Sequence, residues 1–186
     1  MTDFMDSLLP PDIVALAQRV VDAHRERGTT VALAESCTGG LVAAALTEIP
    51  GSSAVLDRAF VSYSNDAKME MLKVPSDLIE TFGAVSIAVA WSMAQGALAH
   101  SGADLAVAIT GVAGPDGGTE KKPVGTVVFA RARRKDLEGK EPAAELKRFE
   151  CGSRAEVRHR AAICALELLL PLPSSGEPAA EPASDG

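Results

Sequence analysis

Apolar residues at positions 13, 14, 16, 17, 20, 21 and 23 return with the period of a helix and predict one over residues 11–27. Pro10 and Pro11 suit its start and Gly28 its end, while Arg25 and Arg27 fall where the helix dipole favours cations. Residues 29–34 lose that period and read as a short buried strand. A helix over 41–48 stops at Pro50-Gly51, and 59–63 is a second strand. Short helices are predicted over 65–72 and from Pro75-Ser76-Asp77. A longer Ala-rich helix covers 85–100, with Ser86 as its N-cap. The near-continuous apolar run 104–109 predicts a third, buried strand. Beyond a Gly- and Pro-rich loop over 110–123, residues 125–133 and 144–151 form strands joined by a charged turn at 134–142, and a helix spans 153–170. This alternation predicts an α/β fold: a three-layer α/β/α sandwich whose mixed sheet ends in an antiparallel hairpin. Residues 1–170 form one domain on this reading. Residues 171–186 carry four of the eleven prolines and read as a disordered, acidic, Pro- and Ala-rich tail.

Composition sharpens that picture. The chain has 186 residues, enough for one domain with a core that needs no disulfide or metal staple. Alanine occurs 32 times and aromatics make up only 4%, so layers should approach closely over small side chains. A net charge of −7 opposes a nucleic-acid partner. The charge is uneven, however. Residues 1–120 balance at −9, residues 121–160 at +6, and the last 26 residues hold four acids and no Lys or Arg. The basic segment is either a local anion site or a solvated hairpin. Cys37, Cys151 and Cys164 are odd in number and far apart, which argues against a disulfide scaffold or zinc site and fits a reducing compartment. The amino terminus does not look like a signal peptide, and no apolar run reaches the ~18 residues that span a bilayer. A cytoplasmic protein without a membrane partner is expected. Exposed faces of Ala-rich helices suggest a homodimer.

Three unusual segments fall at predicted strand ends: Ala34-Glu-Ser-Cys-Thr-Gly-Gly40, Tyr63-Ser-Asn-Asp-Ala-Lys68 and Thr110-Gly-Val-Ala-Gly-Pro-Asp-Gly-Gly118. Ligands of α/β sheets gather there, beside helix N-termini. Ser36, between a strand and a helix, would face unpaired backbone N–H groups able to hold an oxyanion or phosphate. The competing reading is that Ser36 or Thr38 only caps the helix. Gly39 and Gly40 would let a ligand approach the backbone. His24, His100 and His159 all lie on predicted helices away from the glycine loops, so a Ser-His-Asp triad is poorly supported. Lys68 is the better base, since burial and a helix N-terminus would lower its pKa, although a solvated surface lysine is the alternative. Cys37 is a lesser nucleophile candidate, through the same helix field. The glycine loop after Ile109 is neither a dinucleotide fingerprint nor a P-loop.

Together these segments resemble the CinA carboxy-terminal domain family. Phe60-Val-Ser-Tyr-Ser-Asn-Asp-Ala-Lys68, Gly83-Ala-Val-Ser86 and Pro123-Val-Gly-Thr-Val127 add to the match, in family order, over residues 11–170. The resemblance implies a catalytic centre of Ser36 as nucleophile, Lys68 as general base and Thr110. It implies substrate contacts from Thr38, Gly39, Gly40, Tyr63, Asn65, Gly111 and Gly114. The implied reaction is hydrolysis of the carboxamide of nicotinamide mononucleotide, a small-molecule substrate, to nicotinic acid mononucleotide and ammonia, without metal or cofactor. It would serve pyridine-nucleotide recycling. Arg154 and Arg158, one turn apart at the start of the last helix, then become candidate phosphate ligands. Ser153 stands where the family often has an acid. Longer members carry an amino-terminal domain whose activities do not transfer to this chain. A nucleotide-binding module without chemistry, or an amidase for another small amide, is the alternative.

Overall fold

Alternation within the apolar strands decides how the layers pack. The computed structural model describes residues 7–136, 143–150 and 152–171. It contains helix α1 (Pro11–Arg27), strand β1 (Val31–Glu35), α2 (Leu41–Thr47), a 3-10 turn (Ser52–Ala54), β2 (Leu56–Val61), α3 (Asn65–Leu72), α4 (Ser76–Phe82) and α5 (Ile87–Ala99). Next come β3 (Leu105–Gly111), β4 (Thr126–Arg133), a second 3-10 turn (Arg134–Asp136), β5 (Ala143–Arg148) and α6 (Arg154–Leu169). Val31, Leu33, Leu105, Val107, Ile109, Val127 and Phe129 face α1, α2 and α6. The intervening residues of the same strands are Ala32, Ala34, Ala106, Ala108, Val128, Ala130 and Ala132, and these face α5 with Leu72 of α3. One side of the sheet is thus nearly all alanine, and the Ala-rich α5 can lie close against it.

The sheet order is β2-β1-β3-β4-β5. β1 pairs in parallel with both β2 and β3, whereas β3–β4 and β4–β5 are antiparallel. The three-layer sandwich with a terminal hairpin is therefore borne out. The chain leaves β1 for one neighbour and later returns to the other, so a topological switch point lies between β1 and β3. The carboxyl ends of β1, β2 and β3 all open onto this edge, as does the start of α6, because β5 runs back toward it. Such switch points are where open α/β sheets form crevices.

Most predicted elements stand within a residue or two, and the departures have local causes. Thr29 is not in β1, because its N–H closes the end of α1 on the His24 carbonyl. β2 begins at Leu56, three residues early, and ends at Val61, not Tyr63. Ser64 turns the chain out of the sheet by capping α3, its side chain accepting from the Ala67 N–H. Ser86 caps α5 as expected. The middle of the predicted hairpin turn, Cys151 and the proposed tail beyond residue 171 lie outside the described residues. Among the described residues no helix is long and apolar enough to cross a membrane.

Candidate active site

Ser36 follows the last residue of β1, and main-chain bonds fix it on both sides. Its N–H donates to the Ile109 carbonyl, and its own carbonyl accepts from Gly39. Lys68, on the first turns of α3, is only 2% exposed. Its Nζ stands 3.1 Å from Ser36 Oγ and donates to the Ser62 carbonyl at 2.9 Å. Among the described residues no carboxylate pairs with this amine. Burial therefore lowers the Lys68 pKa, against a smaller opposing effect of Cys37. A neutral amine at hydrogen-bond distance can accept the serine proton. The surface-lysine alternative is excluded by this burial.

A pocket of about 200 Å3 opens over the pair. Ser36, Cys37, Tyr63, Asn65, Lys68, Thr110, Gly111 and Arg154 line it, so residues from all three unusual segments meet there. Ala84, Val85 and Ala113 complete the wall. Their apolar character gave no chemical signal of its own, although 83–86 belongs to one of the family-like motifs. Thr110 does not point its hydroxyl at Ser36 as a donor; Oγ1 donates to the Ala84 carbonyl at 3.0 Å, tying the end of β3 to the segment before α5. Among the described residues, no group of three or more His, Cys, Asp or Glu is placed to hold a metal ion.

The expectation of unpaired N–H groups at the start of α2 needs correction. Glu35 is completely buried, and its carboxylate accepts from Gly40 (3.0 Å), Val42 (3.2 Å) and Ala43 (2.8 Å). The Leu41 N–H goes to the Thr38 carbonyl. Neither Ser36 nor Thr38 caps the helix: the N-cap position is Gly40, with no side-chain cap bond, and Thr38 Oγ1 is buried without a partner among the described residues. Gly40 adopts φ +90°, a conformation open mainly to glycine. The N–H groups of Cys37 and Thr38 make no hydrogen bond to a main-chain carbonyl among the described residues. The Cys37 thiol is itself pushed up to about 12, chiefly by burial, with the charge of Glu35 adding to it. It is a neutral thiol, not a helix-activated nucleophile.

The two arginines part company. Arg154 lines the pocket and donates to the Gly114 carbonyl and to Tyr63 Oη, each at 2.7 Å. Arg158 reaches the outer side of the turn that carries Ser36 instead, donating to the Thr38 carbonyl at 2.9 Å, and is not among the lining residues. Gly39 lies beside Arg158, and Gly39 and Gly40 shape the turn without lining the pocket. The histidines lie elsewhere. His24 bonds Thr29 and Leu169, His100 the Gly96 carbonyl, and His159 pairs with Asp12. Glu35 was missed by sequence reasoning. The available signal was an acid ending a fully apolar strand, five residues before the glycine that opens a helix.

The CinA C-terminal domain model matches residues 13–172. A putative competence-damage inducible protein of Symbiobacterium thermophilum is 50% identical over 161 residues, 85% of this chain but 38% of that longer protein. The nicotinamide-nucleotide amidohydrolase PncC of Escherichia coli K12 is 48% identical over 160 residues, covering 85% of this chain and 93% of its own length. Among solved structures, the competence/damage inducible protein CihA of Agrobacterium tumefaciens superposes with a TM-score of 0.83 at 49% identity, over 88% of this chain and 96% of that one. The fold, the pocket-forming segments and these likenesses place the chain in the family of the CinA C-terminal domain.

Proposed function

We propose that this protein is an amidohydrolase that converts nicotinamide mononucleotide to nicotinic acid mononucleotide and ammonia. The observation that carries the reading is the 3.1 Å approach of Lys68 Nζ to Ser36 Oγ inside a pocket that also holds an arginine. The similarity to the E. coli enzyme, whose full length is nearly spanned, supplies the substrate. Lys68, whose pKa burial lowers, takes the proton of Ser36 in its neutral form as Oγ attacks the carboxamide carbon. Cys37, which follows Ser36 and lines the pocket, offers its N–H to the developing oxyanion. The protonated Lys68 returns the proton to the departing ammonia, and water then releases the acid from Ser36. Arg154 at the pocket wall binds the phosphate, with Tyr63, Asn65, Thr110 and Gly111 lining the same pocket, while Gly114 holds Arg154 through its carbonyl rather than lining the pocket. Arg158, Thr38, Gly39 and Gly40 fix the nucleophile turn rather than touch the phosphate. Incubation of the purified protein with nicotinamide mononucleotide should yield ammonia and nicotinic acid mononucleotide in equal amounts. No ammonia release would refute the assignment.

A further inference from the structure

We infer that Glu35 is the positioning residue of the nucleophile, acting as a buried anion that holds the Ser36 turn in shape. The inference rests on reading Ser36 as the nucleophile.

One side chain ties together both ends of the turn. The main chain of Glu35 is fixed in the sheet between Val61 and Ile109, and its carbonyl accepts from the Ser62 N–H. From that anchor the carboxylate reaches over four residues of turn to three N–H groups on the other side. Oε2 takes Gly40 and Val42, and Oε1 takes Ala43. The carbonyl of Ser62, next in line from Glu35, is also the one that receives Lys68 Nζ. Glu35 therefore braces the nucleophile turn directly and the platform of the base through one main-chain bond. Arg158 holds the outer side of the same turn through the Thr38 carbonyl.

Charge matters here as well as reach. Three N–H donors converge on one carboxylate, and a charge-assisted acceptor holds them more firmly than a neutral amide could. Glutamine in its place would turn an NH2 group toward at least one N–H. The neighbouring Cys37 thiol is held neutral chiefly by burial, with the charge of Glu35 adding to it.

The test uses a fluorophosphonate that phosphonylates activated serines, with the Ser36 peptide followed by mass spectrometry. Wild type should be labelled at Ser36, and Ser36→Ala should not. Folded Glu35→Gln should label at least 30-fold more slowly. Glu35→Asp keeps the charge and should label within tenfold of wild type. Wild type without label at Ser36 would defeat the nucleophile reading itself. Labelled wild type with Glu35→Gln equally fast would overturn the role of Glu35 alone, as would Glu35→Asp as slow as Glu35→Gln. Should Glu35→Gln not fold, amide exchange in the wild-type protein decides: Gly40, Val42 and Ala43 should be as protected as the interior of α2, and fast exchange of all three would overturn the inference.

Discussion

At the scale of single residues, the decisive fact is a lysine that has lost its solvent without gaining a carboxylate. An amine in that position favours its neutral form, which is the form a serine hydrolase can use as base. Lys68→Met should abolish hydrolysis while leaving the fold intact. Its effect on stability has a definite sign. The folded-state pKa lies below the usual 10.5. Below that lowered value both states are protonated, and the folded state bears the full cost of a buried ammonium. Between it and 10.5 the unfolded chain binds more protons, so wild-type stability climbs with pH. The stability of Lys68→Met relative to wild type, from urea titrations, should therefore be greatest at low pH and shrink as pH approaches 10.5. A gap constant with pH would contradict the buried-cation account. The meeting of Ser36 and Lys68 was legible because a hydroxyl and an amine stand beside predicted strand ends, where side chains face a crevice rather than a core. Glu35 was not, since its partners lie five to eight residues on and match no local capping pattern.

At the scale of elements, the abundance of alanine becomes a packing rule. The alanines of β1, β3 and β4 alternate onto one face, and α5 answers with its own small residues. Gly96 of α5 shows how tight the fit is, because a Cβ there would collide with the main-chain carbonyl of Leu72 at the end of α3. Alanine is better than glycine in a helix by ~1 kcal/mol. Overpacking against backbone costs about 1–3 kcal/mol, with little room to relax. Gly96→Ala should therefore lower stability in urea, and a more stable variant would show that α3 and α5 can separate freely. The apolar strands β1, β3 and β4 were legible for the same reason that they are buried. β2 was placed late because it is an edge strand, and Asp57 and Arg58 break its apolar pattern where one side meets solvent. Convergence of three loops followed from topology, since parallel strands end on one edge.

For the whole molecule, the basic segment has a different meaning from the one its charge suggested. Arg131 donates to the Leu170 carbonyl, Arg134 to carbonyls at the end of α5, Arg148 to Lys121 and Arg158 to Thr38. These guanidinium groups hold main-chain oxygens, and Arg154 is the arginine of the segment that lines the pocket. Arg154→Ala should raise KM about 10- to 100-fold, with a smaller change in kcat, as expected for loss of about 1.5–3 kcal/mol of charge-assisted binding. Equal losses in kcat and kcat/KM would place Arg154 in the chemistry instead. His24 supplies a second pH effect, far from the site. Buried between Thr29 and the Leu169 carbonyl, its pKa lies below 6.5, chiefly through burial. Stability should then fall as pH drops below 6.5 and the unfolded chain takes up a proton that the folded one refuses. His24→Gln should flatten that slope in denaturation curves. The central claim is that Ser36 is acylated by the carboxamide with Lys68 as base. It is tested most directly by following products from nicotinamide mononucleotide in the presence of hydroxylamine. Wild type should divert part of its product to the hydroxamic acid as ammonia is released, and Ser36→Ala should lose at least about 10^3-fold of its turnover. Unchanged turnover in Ser36→Ala would contradict the claim.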